Sequence, residues 1–141
     1  MSDFIRENNR EKILKQSDDA VDKALEQIGL AAEGYAAALC PVQTGLLKNS
    51  ITSVVGGHAP SKSSYVADKP KNGSKKVESG TYSGTTTKEA PPYVALGTNV
   101  EYAPGIELGT SSSKVPKAFI KPAIENHARY YEEILKSELN N

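Results

Sequence analysis

The chain has 141 residues, with 17 basic and 17 acidic side chains, 38% hydrophobic residues, two Phe, no Trp and one cysteine. A chain of this length holds one domain with a modest core, and its balanced charge provides no net field to draw it onto nucleic acid or an acidic membrane. The single Cys40 excludes an internal disulfide and a cysteine-cluster zinc site, and the lean apolar content points to a part of the chain that is unpacked or packed only against partners.

The charged start, Met1-Ser2-Asp3-Phe4-Ile5-Arg6-Glu7, does not open a secretory apolar stretch. Residues 28–40 are the most apolar window, but Glu33 interrupts it and it falls short of the roughly 20 residues of a spanning helix. The expectation is a soluble protein made in the cytoplasm.

Residues 1–16 read as an N-terminal arm, in which 4–15 (Phe4, Ile5, Ile13, Leu14 among charges) form either an arm or a second helical stretch. Residues 18–39 read as an amphipathic helix about 33 Å long. Val21, Ala24, Leu25, Ile28, Ala32, Tyr35 and Leu39 mark its apolar face, and Asp22, Lys23, Glu26, Gln27 and Glu33 the polar one. Ser17 suits the N-cap, Asp18 and Asp19 the positive end of the helix dipole, and Pro41 the stop. Residues 44–49 look like a short helical turn capped by Thr44. Residues 51–55 have the β-branched richness of a strand closed by Gly56-Gly57, and 93–98 form a second candidate. These two strands are expected to pair antiparallel.

Between them, residues 56–92 contain no Leu, Ile, Phe, Met or Trp, and carry six Lys against Asp68, Glu78 and Glu89. Such composition buries too little apolar surface to offset the entropy of ordering, and a connection this long is either functional or disordered. Short β signals at 64–67 and 76–82 point to a hairpin arm, mobile alone and ordered by neighbours. Pro104 opens a short helix that ends before Gly109. Residues 121–139 read as the last helix, with Pro122 in its first turn, Ile124, Ala128, Tyr131, Leu135 and Leu139 on one stripe, and Glu132 and Lys136 as an i, i+4 pair. The fold class is therefore α+β: a small antiparallel sheet, a long N-terminal helix and a C-terminal helix packed on it, and an extended arm at 56–92.

Chemistry is thinly supplied. Cys40 with His58 or His127 is the one conceivable nucleophile and base, yet Cys40 ends an apolar stripe, where a thiol packs as a small hydrophobe. His58 reads as a loop residue and His127 as a structural one. No zinc spacing, EF-hand loop or nucleotide-binding glycine run is present, so no catalytic residue, metal or cofactor is assigned. The loop lysines Lys62, Lys69, Lys71, Lys75, Lys76 and Lys88, interleaved with Tyr65 and Tyr82, are the only candidate basic reader of nucleic acid. Gly45, Gly97 and Gly109 read as positions of positive φ or close approach. Tyr102 and Phe119 read as core anchors, and Glu107 as the cap of a backbone turn or half of an ion pair.

Three blocks remain. The first is Pro41-Val42-Gln43-Thr44-Gly45-Leu46-Leu47-Lys48-Asn49-Ser50-Ile51. The second is Gly97-Thr98-Asn99-Val100-Glu101-Tyr102-Ala103-Pro104-Gly105-Ile106-Glu107-Leu108-Gly109-Thr110. The third is Ala118-Phe119-Ile120-Lys121-Pro122-Ala123. In this order they resemble the head–tail joining or tail-completion proteins of long-tailed bacteriophages, the gene-product-ten family of the lambdoid phages. That family carries Pro-x-x-Thr-Gly-x-Leu-x-x-Ser-Ile, then Gly-Thr-x-x-x-Tyr-Ala-x-x-x-Glu-x-Gly-Thr, then Pro-Phe-x-x-Pro-Ala; here Ala118 stands where the proline before the phenylalanine is usual, with Pro116 two positions earlier. The resemblance makes Pro41, Thr44, Gly45, Leu47, Ser50, Gly97, Tyr102, Ala103, Gly109, Phe119 and Pro122 motif positions. It implies a virion protein of the tail or neck, made in the host cytoplasm and performing no reaction. Its partners would be copies of itself in a hexameric ring, head-completion, stopper or connector proteins, and the tail tube or its terminator. DNA would pass through the lumen without specific binding, and no membrane is involved. Under this reading the arm, through Lys62, Tyr65, Lys75, Lys76 and Tyr82, and with it Glu107, would meet neighbouring subunits. The alternative from another class is a nucleic-acid-binding module using the lysine-rich 56–90 segment.

Overall fold

The computed structural model describes residues 2–42, 44–109 and 116–140, with side chains from residue 18 onward. Its elements run α1 (Ser2–Leu39), α2 (Leu46–Ser50), β1 (Thr52–Val55), β2 (Ser64–Val66), β3 (Ser79–Thr81), β4 (Val94–Gly97), α3 (Ala103–Leu108), α4 (Ile120–Glu125) and α5 (Ala128–Leu139). The class is α+β, as the sequence pattern implies, with two separate two-stranded antiparallel sheets, β1–β4 and β2–β3.

Helix α1 is one uninterrupted element of 38 residues, about 57 Å long. Ser17 therefore lies inside it and is no N-cap, and the 4–15 stretch continues the same helix; the side chains of Phe4, Ile5, Ile13 and Leu14 are outside the described residues. The buried face is also rotated from the expected stripe. Ala24, Gly29, Ala32, Glu33, Ala36 and Cys40 point inward, whereas Leu30 and Leu39 are exposed. Small residues win this face because the β1–β4 sheet lies directly on it: a Cβ on Gly29 would stand 2.6 Å from Ser53 Oγ. Glu33, expected on the polar side, is instead buried and accepts hydrogen bonds from the hydroxyls of Ser53 (2.8 Å) and Ser61 (3.0 Å). A buried carboxylate is tolerable when its oxygens are satisfied in this way.

β1 and β4 pair with Thr52 opposite Gly97 and Val55 opposite Val94. α2 is entered through Gly45 at φ 83°, a left-handed conformation that favours glycine, and a side chain there would run into the Asp68 carboxylate. Thr44 Oγ1 accepts from Leu46 N–H at 3.3 Å, so it supports the turn although Gly45 holds the cap position. Gly109 closes α3 at φ 85°. Gly97 has neither a positive φ nor any group near its Cβ position, so its expected role is not seen.

The C-terminal helix is divided. At His127 the backbone leaves helical dihedrals (φ −120°, ψ 18°), and the ring lies flat on Tyr35 with centroids 3.4 Å apart. α5 then runs along α1, and Glu138 reaches Gln27 Nε2 (2.7 Å) and Lys23 Nζ (3.8 Å). Tyr131, Ile134, Leu135 and Glu138 are partly buried, while Ile124, Ala128 and Leu139 of the expected stripe are exposed. The Glu132–Lys136 pair forms at 3.3 Å.

The main core gathers Ala36, Cys40, Leu46, Leu47, Ile51, Tyr65, Ala67, Val100, Ala103, Phe119 and Ala123. Phe119 is its largest fully buried side chain. Phe119→Ala is therefore expected to cost about 3–5 kcal/mol, read as a lower guanidinium midpoint at unchanged slope; a loss under 1 kcal/mol, on the order of a surface substitution, would contradict this core assignment.

Candidate functional site

The three sequence blocks meet at one junction. Ser50, fully buried at the end of α2, donates its hydroxyl to Leu47 O at 2.6 Å. With that proton committed, Thr98 Oγ1 is the donor in the 2.6 Å contact between the two hydroxyls. The first block is thereby bonded to the second. Glu107 bonds the second to the third: its carboxylate accepts the backbone N–H groups of Phe119 (2.8 Å), Ile120 (2.9 Å) and Lys121 (2.8 Å). These donors open α4, where no residue of the helix itself supplies a side-chain cap. Glu107 caps that helix from a distance of twelve residues or more. Thr110, the last position of the second block, is outside the described residues.

Residues 56–92 contact the body through part of their length. Their β2–β3 hairpin lies back on the junction, with Tyr65 and Ala67 inside the core. Tyr65 crosses the face of Gly80, where any side chain would collide with its ring, and packs 5.5 Å from the Tyr82 ring. The Tyr82 hydroxyl donates to Ser50 O and accepts from Asn99 N–H. Two asparagines clamp the hairpin edges: Asn49 Nδ2 donates to Val66 O (2.8 Å), and Asn99 Nδ2 to Thr81 O (3.0 Å). Asp68, bonded by Asn49 and then paired with Lys48 at 3.4 Å, is held below the usual carboxylate range. The expected arm thus contains a hairpin docked on its own chain through Tyr65, Tyr82 and Ala67 and through the amides of Asn49 and Asn99.

Four residues of the expected partner-facing set are engaged within the chain. Tyr65 is buried and donates to Asn99, Tyr82 is bonded to Ser50, Glu107 caps α4, and Lys62 Nζ donates to Asn49 O at 3.0 Å. Lys75 and Lys76 are exposed, as are Lys69 and Lys71 in the same β2–β3 connection. Tyr102, expected in the core, is 49% exposed and borders a groove of about 850 Å3 between the hairpin and the second block. A second groove, about 490 Å3 and mainly apolar, runs from Gly97 and Thr98 between α3 and α4, past Leu108 (77% exposed) and Ile124 (45% exposed). Pattern reading missed Glu33, Asn49, Thr98 and Asn99. Their chemistry lies in what folding brings opposite them, and for Glu33 the only trace in sequence is a carboxylate inside an apolar window.

Cys40 is buried, its Sγ 3.5 Å from Pro41 O. Burial pushes its thiol up to about 11, against a smaller lowering by Lys48. His58 bonds Asp22 at 3.1 Å, and His127 is stacked on Tyr35. Among the described residues no group of three His, Cys, Asp or Glu side chains is placed to hold a metal ion, and no helix is long and apolar enough to cross a membrane. No family model, curated protein or solved structure matches this chain.

Two measurements test the site. Burial raises the Glu107 pKa, but the three backbone donors and the Lys121 charge outweigh it and hold the carboxyl below its ordinary 4.5. Glu107 therefore stabilises the fold fully above that value, and the contribution is lost as pH falls through the depressed folded value. Glu107→Gln is expected to lose about 1–3 kcal/mol near neutral pH, with the gap to the wild type narrowing in acid; a gap independent of pH would contradict the cap. Cys40 is expected to react with a thiol reagent at neutral pH only as fast as the protein opens, since the thiolate is the reactive form; rapid labelling of the folded chain would refute the buried placement.

Proposed function

We propose that this chain is a structural protein of a tailed-phage virion that helps join head to tail, working by docking to copies of itself and to neck or tail components. The observation that carries this reading is the junction. The three blocks on which the resemblance rests are far apart in sequence, yet Ser50–Thr98 and Glu107–Phe119 bind them into one scaffold. Their residues are occupied in holding backbone and core, which suits a part whose work is shape. The mainly apolar groove beside Leu108 and Ile124 offers surface of the kind that marks a protein–protein contact. In this reading the chain assembles as a ring through heterologous contacts, in which one patch meets a different patch on the next copy.

Electron microscopy of particles assembled without this protein tests the proposal. Filled heads lying apart from finished tails are expected, with joining restored when the purified chain is added; complete phage forming in its absence would defeat it.

A second reading is favoured by one observation: Lys69, Lys71, Lys75 and Lys76 are all exposed in the single connection between β2 and β3. This reading is a nucleic-acid contact, and it predicts DNA binding that weakens steeply with salt. Lys75→Glu with Lys76→Glu would abolish that binding while leaving the joining of heads to tails intact if the first reading holds.

A further inference from the structure

The connection between β2 and β3 turns at Lys71-Asn72-Gly73-Ser74, which holds the one asparagine–glycine pair in the chain. Ser74 N–H donates to Lys71 O at 2.9 Å, and Gly73 stands at φ 81° while no described residue other than glycine has a positive φ. Positive φ at the third position alone makes this a type II turn. Residues 68–76 are all exposed, and a Cβ placed on Gly73 would meet nothing within 4 Å. The Ser74 hydroxyl is engaged with Lys76 N–H (3.1 Å) and O (3.3 Å). Neither the Asn72 side chain nor the Gly73 N–H has a hydrogen-bond partner among the described residues. The other asparagines of the folded body are held. Asn49 Nδ2 is bound to Val66 O and Asp68 Oδ1, and Ser50 after it is fully buried. Asn99 bonds Thr81 O through Nδ2 and the Tyr65 hydroxyl through Oδ1, and the next N–H, of Val100, is taken by Thr98 Oγ1. Asn126 is exposed, but it is followed by His127, whose ring lies on Tyr35.

We propose that Asn72 is a self-modification site, at which the chain converts its own amide to a carboxylate. The Gly73 nitrogen gives up its proton to water or hydroxide and attacks the side-chain carbonyl carbon of Asn72. The N–Cγ bond forms, the Cγ–Nδ2 bond breaks, and the amide nitrogen leaves as ammonia after taking a proton from water. Water then opens the cyclic imide at either carbonyl. Opening at Cγ leaves Asp, and opening at the backbone carbonyl leaves isoaspartate, whose main chain runs through the former side chain. No electron is gained or lost, and water is the only co-reactant. Glycine at position 73 leaves the attacking nitrogen unshielded by a Cβ. Lys69, Lys71, Lys75 and Lys76 lie on either side of the pair, and positive charge favours both the nitrogen anion and the carboxylate that follows. Ring closure needs rotation about the Asn72 backbone, which the exposed Lys71–Ser74 bond opposes, with no buried side chain in 68–76 to displace. Each conversion sets one negative charge among these lysines. The proposal rests on the turn and holds with or without the neck reading.

Prolonged incubation of the folded full chain in mildly alkaline buffer, followed by proteolysis and peptide mass spectrometry, tests this. The peptide holding Asn72 is expected to gain the mass of an amide-to-acid exchange well before those holding Asn49, Asn99 or Asn126, with ammonia released in equal amount. An isoaspartate-specific methyltransferase supplies the second readout: it should label the aged chain at position 72, since direct hydrolysis of the amide gives Asp alone. Gly73→Ala, which puts a methyl group beside the attacking nitrogen, should slow the conversion several-fold. Asn72→Gln should abolish it and leave the far-ultraviolet circular dichroism of the folded chain unchanged. An Asn72 that stays intact, conversion to Asp without isoaspartate, equal conversion at Asn49 or Asn99, or a rate that Gly73→Ala leaves unchanged would overturn the proposal.

Discussion

The structure depends on hydrogen bonds thrown between distant segments by a few partly buried polar side chains. Glu107 is the strongest case. Its carboxylate fixes the N–H groups of Phe119, Ile120 and Lys121 at the start of α4, and so fixes where Phe119 enters the core. A charged acceptor in contact with several backbone donors is held more firmly than a neutral one. Ser50 and Thr98 make the matching link between α2 and the end of β4. With two Phe and no Trp in the chain, aliphatic and aromatic packing alone has little to work with, and these links take over the task of defining geometry.

What was legible in the sequence followed from backbone chemistry. The β-branched run at 51–55 and the candidate at 93–98 gave a real strand pair, Pro104 and Gly109 bounded α3, and Phe119 was the core anchor it resembled. Periodicity failed where packing was set by close approach. On α1 the sheet sits against Gly29 and the alanines, so the large apolar residues do not define the buried face, and Glu33 points inward because Ser53 and Ser61 await it. Neither hydroxyl is near Glu33 in sequence, so no local pattern could reveal the match. The division of the last helix at His127 was equally hidden, because it accompanies a stacking contact with Tyr35 ninety-two residues away.

The 56–92 segment shows the same limit from the other side. It contains no Leu, Ile, Phe, Met or Trp. The inference that neighbours must therefore order it overlooked the tyrosines. Tyr65 and Tyr82 each supply a large apolar ring with a hydroxyl at its tip, which lets a polar hairpin bury area and bond to the body at once. The surfaces left over are the groove beside Leu108 and Ile124 and the exposed lysines between β2 and β3.

The account's central claim is that the three blocks and the hairpin are one cooperative unit. Native-state amide exchange under increasing denaturant tests it most directly, because it separates local opening from global unfolding. The N–H groups of Ala67 and Tyr82 in the hairpin and of Phe119 and Ile120 at the Glu107 cap should exchange through the same global opening. A hairpin that exchanges freely while the Glu107 cap stays closed would contradict the account.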